Sequence, residues 1–263
     1  MLAVARYLLS SGYEVTFNTG ELFRQQVEAA GVRFRPFTGK ANWDYRDLAA
    51  AFPERENYEP GPERIDWDVA HLFGDAIPDQ YRGVREIVAN SKVDLILVDT
   101  TFMGVFPLLL GPREARPYVL GCGVLPMMLS SIDIGNFMVP DSSPEGRKRN
   151  EKGNEEFRAM LASGSEHLNG LLHGLGLPSL PGTCFDCMHT MPDLFLQFTA
   201  EAFEFPRSDM PANIRFIGPM LPHPTKDFEA PAWWPDLEKE KKPVVLVTQG
   251  TIANLDLGQL IEP

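Results

Sequence analysis

The chain has 263 residues, 44% of them hydrophobic, and a formal net charge of −12 at neutral pH. That length holds one large domain, or one domain plus part of another, and the apolar content is enough for a sizeable core, which excludes wholesale disorder. The acidity argues against a nucleic-acid binder, whose footprint is a basic stripe, and against docking on an anionic membrane.

Leu2, Ala5, Leu8 and Leu9 fall at helical spacing, and Gly12 reads as the stop. Glu14 to Asn18 is a short β-rich run. Leu22, Phe23, Val27 and Ala30 give a second helical face, stopped by Gly31, and Val32 to Pro36 reads as a strand. Helix, strand, helix, strand is the order of parallel α/β winding. Residues 38–66 lose this rhythm. They are rich in Pro, Gly, Asp and Glu, with Trp43, Tyr45, Phe52 and Tyr58 among them, and Trp67 just beyond. A long functional loop with some helix is expected there, then a helix from Val69 to Ala89. Val93 to Val98 is nearly continuous apolar sequence, as in a buried parallel strand. A helix over Met103 to Leu110 and a strand over Tyr118 to Gly121 follow. Pro144 to Gly176 is helical, first polar and then apolar. Leu194 to Phe198 and Ile214 to Ile217 are two further strands. Residues 219–242 hold many prolines and a charge run and read as an interdomain linker. Val244 to Thr248 reads as a new buried strand, Gln249 to Thr251 as its turn, and a helix starts near Asp256.

A doubly wound fold opens with a strand, whereas this sequence opens with a helix; its last strand opens a second domain. The expectation is a chain that starts and stops partway through its own fold. The segment after Met1 lacks a basic leader and is too short for a membrane span. The longest apolar stretch, Phe102 to Leu110, is also short and contains Pro107. A cytoplasmic protein without stable membrane insertion is expected.

Several motifs compete with plainer readings. Gly121-Cys-Gly-Val-Leu-Pro126 resembles the start of a dinucleotide fingerprint, but Pro126 replaces the third glycine and no helix follows. Cys184-x-x-Cys187 with His189 has metal-like spacing, but a second ligand pair is missing nearby, so buried free thiols are expected. Three cysteines in all do not suggest a disulfide framework. No Gly-x-Ser-x-Gly elbow, Walker loop or His-Glu-x-x-His is present. None of the five histidines sits in a recognisable catalytic setting, and His167 and His173 read as surface or packing residues of the long helix. Asp99 directly follows the strand Val93 to Val98, at the carboxyl end where open α/β sheets bind ligands. It is either a helix N-cap or a carboxylate that orients a histidine base. Thr248 to Thr251 is a strand-end turn whose glycine and hydroxyls suit a phosphate.

Together these segments resemble a known family, the nucleotide-sugar-dependent glycosyltransferases of the two-domain GT-B type, and within it the macrolide-glycosyltransferase-like branch of bacteria and fungi. The telling stretches are Phe203-Glu-Phe-Pro-Arg-Ser-Asp-Met-Pro211, Ile214-Arg-Phe-Ile-Gly-Pro219, and Pro243 to Thr251 with Asn254-Leu-Asp256. Met1 to Thr19 resembles the family's first helix and second strand, and Val93 to Asp99 its fourth strand and following acid. The resemblance covers the whole chain but only about the first half of such an enzyme.

The resemblance implies an acceptor-binding Rossmann-like domain over residues 1–218 that lacks its first strand, a linker over 219–242, and the start of a truncated donor domain over 243–263. It implies an inverting displacement: a histidine deprotonates the acceptor hydroxyl, an aspartate steadies that histidine, and a nucleoside diphosphate leaves. Asp99 matches the aspartate. The base histidine belongs to a turn that would precede Met1. Thr248, Gly250 and Thr251 match the donor-side turn. Thr100, Phe102, Met103, Val124 and Met127 would line the acceptor side with the aromatic loop, which suggests an apolar hydroxylated acceptor such as a polyketide, terpenoid or sterol-like molecule of secondary metabolism; ordinary packing is the alternative. The co-substrate implied is a UDP-sugar, with no metal and no separate cofactor. The competing readings are a catalytically inactive remnant or binding half, and a sugar-nucleotide epimerase of similar architecture.

Overall fold

The computed structural model describes residues 1–123, 129–135, 138–221, 229–248, 258 and 260–261. They fall into two units, 1–221 and 222–263, each described by itself.

In the first unit, α1 (Leu2–Ser10) buries Ala5 and ends before Gly12, whose φ of +88° few other residues adopt. The strand β1 (Thr16–Thr19), the helix α2 (Arg24–Ala29) and the strand β2 (Arg33–Pro36) follow as the pattern predicts. β1 and β2 pair in parallel, Phe17 opposite Phe34. Ala5, Val27, Val32 and Phe34 form a small core beneath them.

Residues 38–66 are a compact run of short turns with α3 (Leu48–Ala51) and the start of α4 (Pro62–Trp67). Their aromatic rings pack on one another. Trp43 meets Phe52 edge-on at 5.1 Å, and Trp67 meets both Phe52 and Tyr58. Arg55 forks onto Asp68 at 2.6 and 2.9 Å and ties the loop to the next helix. The single helix expected over Val69 to Ala89 is three pieces. Asp68–Phe73 is a π-helical turn, Gly74–Ala76 a tight 3₁₀ turn, and α5 spans Ile77–Asn90. The break comes where Gly74 lies so close to α8 (Ala162–Gly174) that an added Cβ would sit 2.6 Å from Leu168.

The second sheet is parallel, in the order β3 (Leu95–Asp99), β4 (Tyr118–Gly123), β5 (Leu194–Gln197), β6 (Ile214–Phe216). Between β3 and β4 lies α6 (Phe106–Leu109); between β4 and β5 lie α7 (Pro144–Met160), α8 and α9 (Cys184–Thr190). Ser143 caps α7 through Gly146 N at 3.0 Å, and Thr183 caps α9 through Asp186 N at 3.1 Å. The main core packs Val98 and Val119 against Ile77, Phe106, Leu161, Leu168, Leu172 and Met188. Phe195 and Ile214 pack with Leu129 in a smaller cluster.

Two expectations need correction. β3 is not a strand buried on all sides: it is the edge of its sheet, and Leu95 is 39% exposed. Among the described residues β1 and β3 each have one paired edge, and the parallel strands form two sheets. In the second unit Val244 to Thr248 forms no strand, and Val245 and Leu246 are 80% and 87% exposed. A strand persists only where its N–H and C=O groups are paired, and no neighbouring strand pairs with it among the described residues. The stretch read as linker contains a short helix, α10 (Trp234–Lys239). The turn at Gln249 to Thr251 and the helix near Asp256 lie outside the described residues.

Among the described residues, no helix is long and apolar enough to cross a membrane.

Candidate functional site

The two sheets are held together by α5. Asp79 accepts a hydrogen bond from Lys40 N at 2.8 Å, just beyond β2. The next residue, Gln80, accepts from Gly104 N at 2.7 Å, just beyond β3. Gly39, at φ +56°, and Gly104 make this possible, because a Cβ at either would collide with the Asp79 or Gln80 side chain. α5 therefore ties the segment after β2 to the segment after β3. There Phe37 stacks on Phe102 with ring centroids 5.8 Å apart.

Asp99 ends β3 with its side chain exposed. Its Oδ1 accepts from Thr101 N at 3.0 Å and Thr101 Oγ1 at 2.7 Å. These bonds close the turn between β3 and the 3₁₀ segment Met103–Val105, whose N-cap position is Phe102, so Asp99 shapes the turn without capping a helix. Beside it, burial pushes the Cys122 thiol up to about 12; Asp99 raises it further, and the Met1 ammonium pulls the other way. Asp99 and Cys122 are register partners at the carboxyl ends of β3 and β4. Thr100 is half-buried, its side chain packed where Gly123 leaves room: a Cβ on Gly123 would sit 2.7 Å from Thr100 Cγ2. Phe102 is half-buried at the rim, and Met103 is 3% exposed within the main core. Val124, Met127, Gly250 and Thr251 lie outside the described residues, and Thr248 is an exposed residue of the second unit.

The glycines of the dinucleotide-like motif do packing work. A Cβ on Gly121 would lie 2.6 Å from the ring of Phe195 on β5. The Cys184 and Cys187 thiols are buried and free, and burial pushes them up to about 12 and 11. His189 is buried too, its Nδ1 2.6 Å from Phe185 O, and burial lowers its pKa. Protonated thiols in an apolar setting fit the packing reading of this motif.

The stretch around Phe203 to Pro211 is a clasp. Asp209 accepts from Ser131 Oγ at 2.7 Å and Ile132 N at 2.8 Å. Arg207 donates to Leu129 O at 2.6 Å, and Asp133 accepts from Ser208 N and Arg147. It fixes the segment after β4 against the strand end of β5.

Sequence reasoning missed one group. His167 on α8 lies 2.7 Å through Nε2 from Asp75 Oδ1, and His71 Nδ1 lies 3.5 Å from Asp75 Oδ2. Lys40 Nζ reaches the same Oδ2 at 3.1 Å. The His71–Asp75 spacing of four was a usable signal; the third member, 92 residues further on, was not. Among the described residues no histidine hydrogen-bonds Asp99.

Comparison with known proteins assigns this framework. No family model matches the chain. It is 37% identical over 271 residues to "UDP-glycosyltransferase 2" of Phaeomoniella chlamydospora, covering 97% of this chain and 58% of that protein. It is 32% identical to "4'-demethylrebeccamycin synthase" of Lentzea aerocolonigenes, covering 100% and 62%. It is 30% identical to "UDP-glucosyltransferase A1" of Starmerella bombicola, covering 96% and 55%. The chain is a homologue of UDP-glycosyltransferases. It spans about three fifths of their length. Among solved structures, the glycosyltransferase of kitacinnamycin superposes with a TM-score of 0.56 at 16% identity, over 88% of this chain and 51% of that one. The calicheamicin glycosyltransferase CalG4 does so at 0.52 and 15%, over 83% and 48%. This UDP-glycosyltransferase homologue therefore shares the α/β fold of about half of a GT-B enzyme.

Proposed function

We propose that this homologue is the acceptor-holding part of an inverting glycosyltransferase that moves a sugar from a UDP-sugar to a hydroxyl of an apolar small molecule. The observation that carries the reading is the gathering of Phe37, Asp99, Thr100 and Phe102 at the joined carboxyl ends of β2 and β3. An open α/β sheet binds its ligands there. The aromatic pair offers an apolar wall, with Met103 filling the core beneath it. Val124, Met127 and the 38–66 loop complete the acceptor side in this reading.

Asp99 is the carboxylate that steadies a histidine base. In this reading the base is presented just ahead of α1. One further parallel strand, paired with the open edges of β1 and β3, would join the two sheets. The acceptor O–H proton passes to the histidine, the oxygen attacks the anomeric carbon from the face opposite the leaving group, and the carbon–oxygen bond to UDP breaks with inversion. Thr248, Gly250 and Thr251 begin the donor side, where hydrogen-bond donors stabilise the departing diphosphate. The domain reading is an acceptor domain over 1–218, a linker over 219–242 and the start of a donor domain over 243–263, in a cytoplasmic enzyme of secondary metabolism.

The test joins this chain to the two fifths of a relative that it does not span, and supplies UDP-glucose with hydroxylated apolar acceptors. Expected is a glucoside of inverted anomeric configuration, with kcat lowered about a hundredfold or more by Asp99→Asn. A product of retained configuration, or an undiminished kcat in the variant, would refute the assignment.

A further inference from the structure

His71, Asp75 and His167 bring two imidazole nitrogens and a carboxylate oxygen within 4.8 Å of one another. The group stands apart from the transferase chemistry proposed for Asp99, and nothing in that chemistry uses it.

The scaffold beneath it is closely fitted. His71 belongs to a π-helical turn, a rare local form found frequently at functional sites. Asp75 follows in the tight turn Gly74–Ala76. His167 comes from α8, and both sides of it are fixed. Gly164 N donates to Asp66 Oδ1 at 2.7 Å, and a Cβ on Gly164 would lie 2.7 Å from Asp66 O. One turn on, Leu168 is 1% exposed and meets Gly74 so closely that only glycine fits there. The two ligand-bearing elements cannot drift apart without breaking these contacts. Trp67 packs on the His71 ring at 4.9 Å, and the two imidazoles lie 4.8 Å apart, tilted by 54°.

We propose that His71, Asp75 and His167 form a binding site for a divalent transition-metal cation of the zinc class, with water at the fourth position. Two imidazoles and one carboxylate suit a borderline cation and not a hard one such as magnesium. Metal–ligand bonds of about 2.0–2.2 Å in a tetrahedron put ligand atoms roughly 3.3–3.5 Å apart. The His167–Asp75 contact of 2.7 Å must open by about 0.7 Å and the widest separation, within 4.8 Å, must close by up to about 1.5 Å, which side-chain rotation supplies. Lys40 is the competing cation. Its side chain is 68% exposed, so its long stem can swing into solvent. The ion would clip the π-turn, and through it the aromatic 38–66 loop, to α8.

The test uses the full chain, stripped with a chelator. Zinc is titrated by calorimetry, and cobalt by its visible d–d absorption. One ion per chain is expected at micromolar concentration, with tetrahedral cobalt intensity and no cobalt–thiolate charge-transfer band, which separates this site from Cys184 and Cys187. His71→Gln and His167→Gln should each weaken binding about tenfold or more. Lys40→Met should strengthen it, a result that a purely structural ion-pair cluster would not give. Zinc should raise the thermal midpoint of the wild type and not of the double His→Gln protein. Absence of saturable zinc binding, or binding that survives the double substitution, overturns the proposal.

Discussion

Replacing Gln80 by alanine tests how the two sheets are held. Gln80 is 8% exposed, and its Oε1 accepts from Gly104 N at 2.7 Å in a buried setting. Alanine leaves that N–H without its partner, and an orphaned buried donor costs about 1–3 kcal/mol. At about 1.4 kcal/mol per factor of ten, the folded-to-unfolded ratio should fall roughly fivefold to more than a hundredfold, a large share of the stability of one domain. Urea unfolding followed by circular dichroism measures this directly, with an unchanged m-value showing that stability alone has moved. Gln80→Glu supplies an oxygen acceptor in the same place and should recover part of the loss. A change below about 0.5 kcal/mol in the alanine variant, within the range of ordinary surface substitutions, would refute the idea that this bond joins the halves.

Asp193→Asn should destabilise by about 2–3 kcal/mol, since Arg116, only 8% exposed, would lose the carboxylate 2.6 Å away. Burial alone would raise the Asp193 pKa, but Arg116, Val119 N and Arg113 together hold it below the ordinary range. Its contribution is therefore present above about pH 4, the unfolded value, and is lost as pH falls through the lower folded value. Stability curves of wild type and variant should converge in acid and separate towards neutrality. Gly121→Ala should cost about 1–3 kcal/mol by overpacking against Phe195, read as a lowered thermal midpoint. Cys122, Cys184 and Cys187 should react with a thiol reagent at pH 8 only as fast as the chain opens, because burial pushes all three well above their ordinary pKa. Rates matching a free thiol in native buffer would contradict their burial.

Most of the first unit's elements are legible in the residues. α1, β1, α2 and β2 announce themselves through apolar spacing and the positive-φ glycines Gly12 and Gly31. β4, β5 and β6 read as short β-rich runs bounded by turn residues. The break before α5 was not legible. It depends on Gly74 meeting Leu168, a contact between segments 94 residues apart that no local pattern encodes. Val244 to Val247 failed for the opposite reason: the apolar run is plain, but a strand is a relation between neighbours and not a property of one segment. Asp99 could be placed at a strand end from sequence alone, whereas its exposure and its bond to Thr101 could not. The His71–Asp75–His167 group illustrates the general limit. Spacing reveals partners on one helix, and only tertiary packing brings the third.

The central claim is that the joined ends of β2 and β3 hold the acceptor in a UDP-sugar transferase. Its most direct test is transfer kinetics for Phe102→Ala beside Asp99→Asn, in the chain joined to the remainder of a relative, with UDP-glucose and an apolar hydroxylated acceptor. The account predicts that loss of Phe102 raises the acceptor KM with little change in kcat, while loss of the Asp99 charge lowers kcat with little change in KM. Wild-type kinetics in both variants would contradict it.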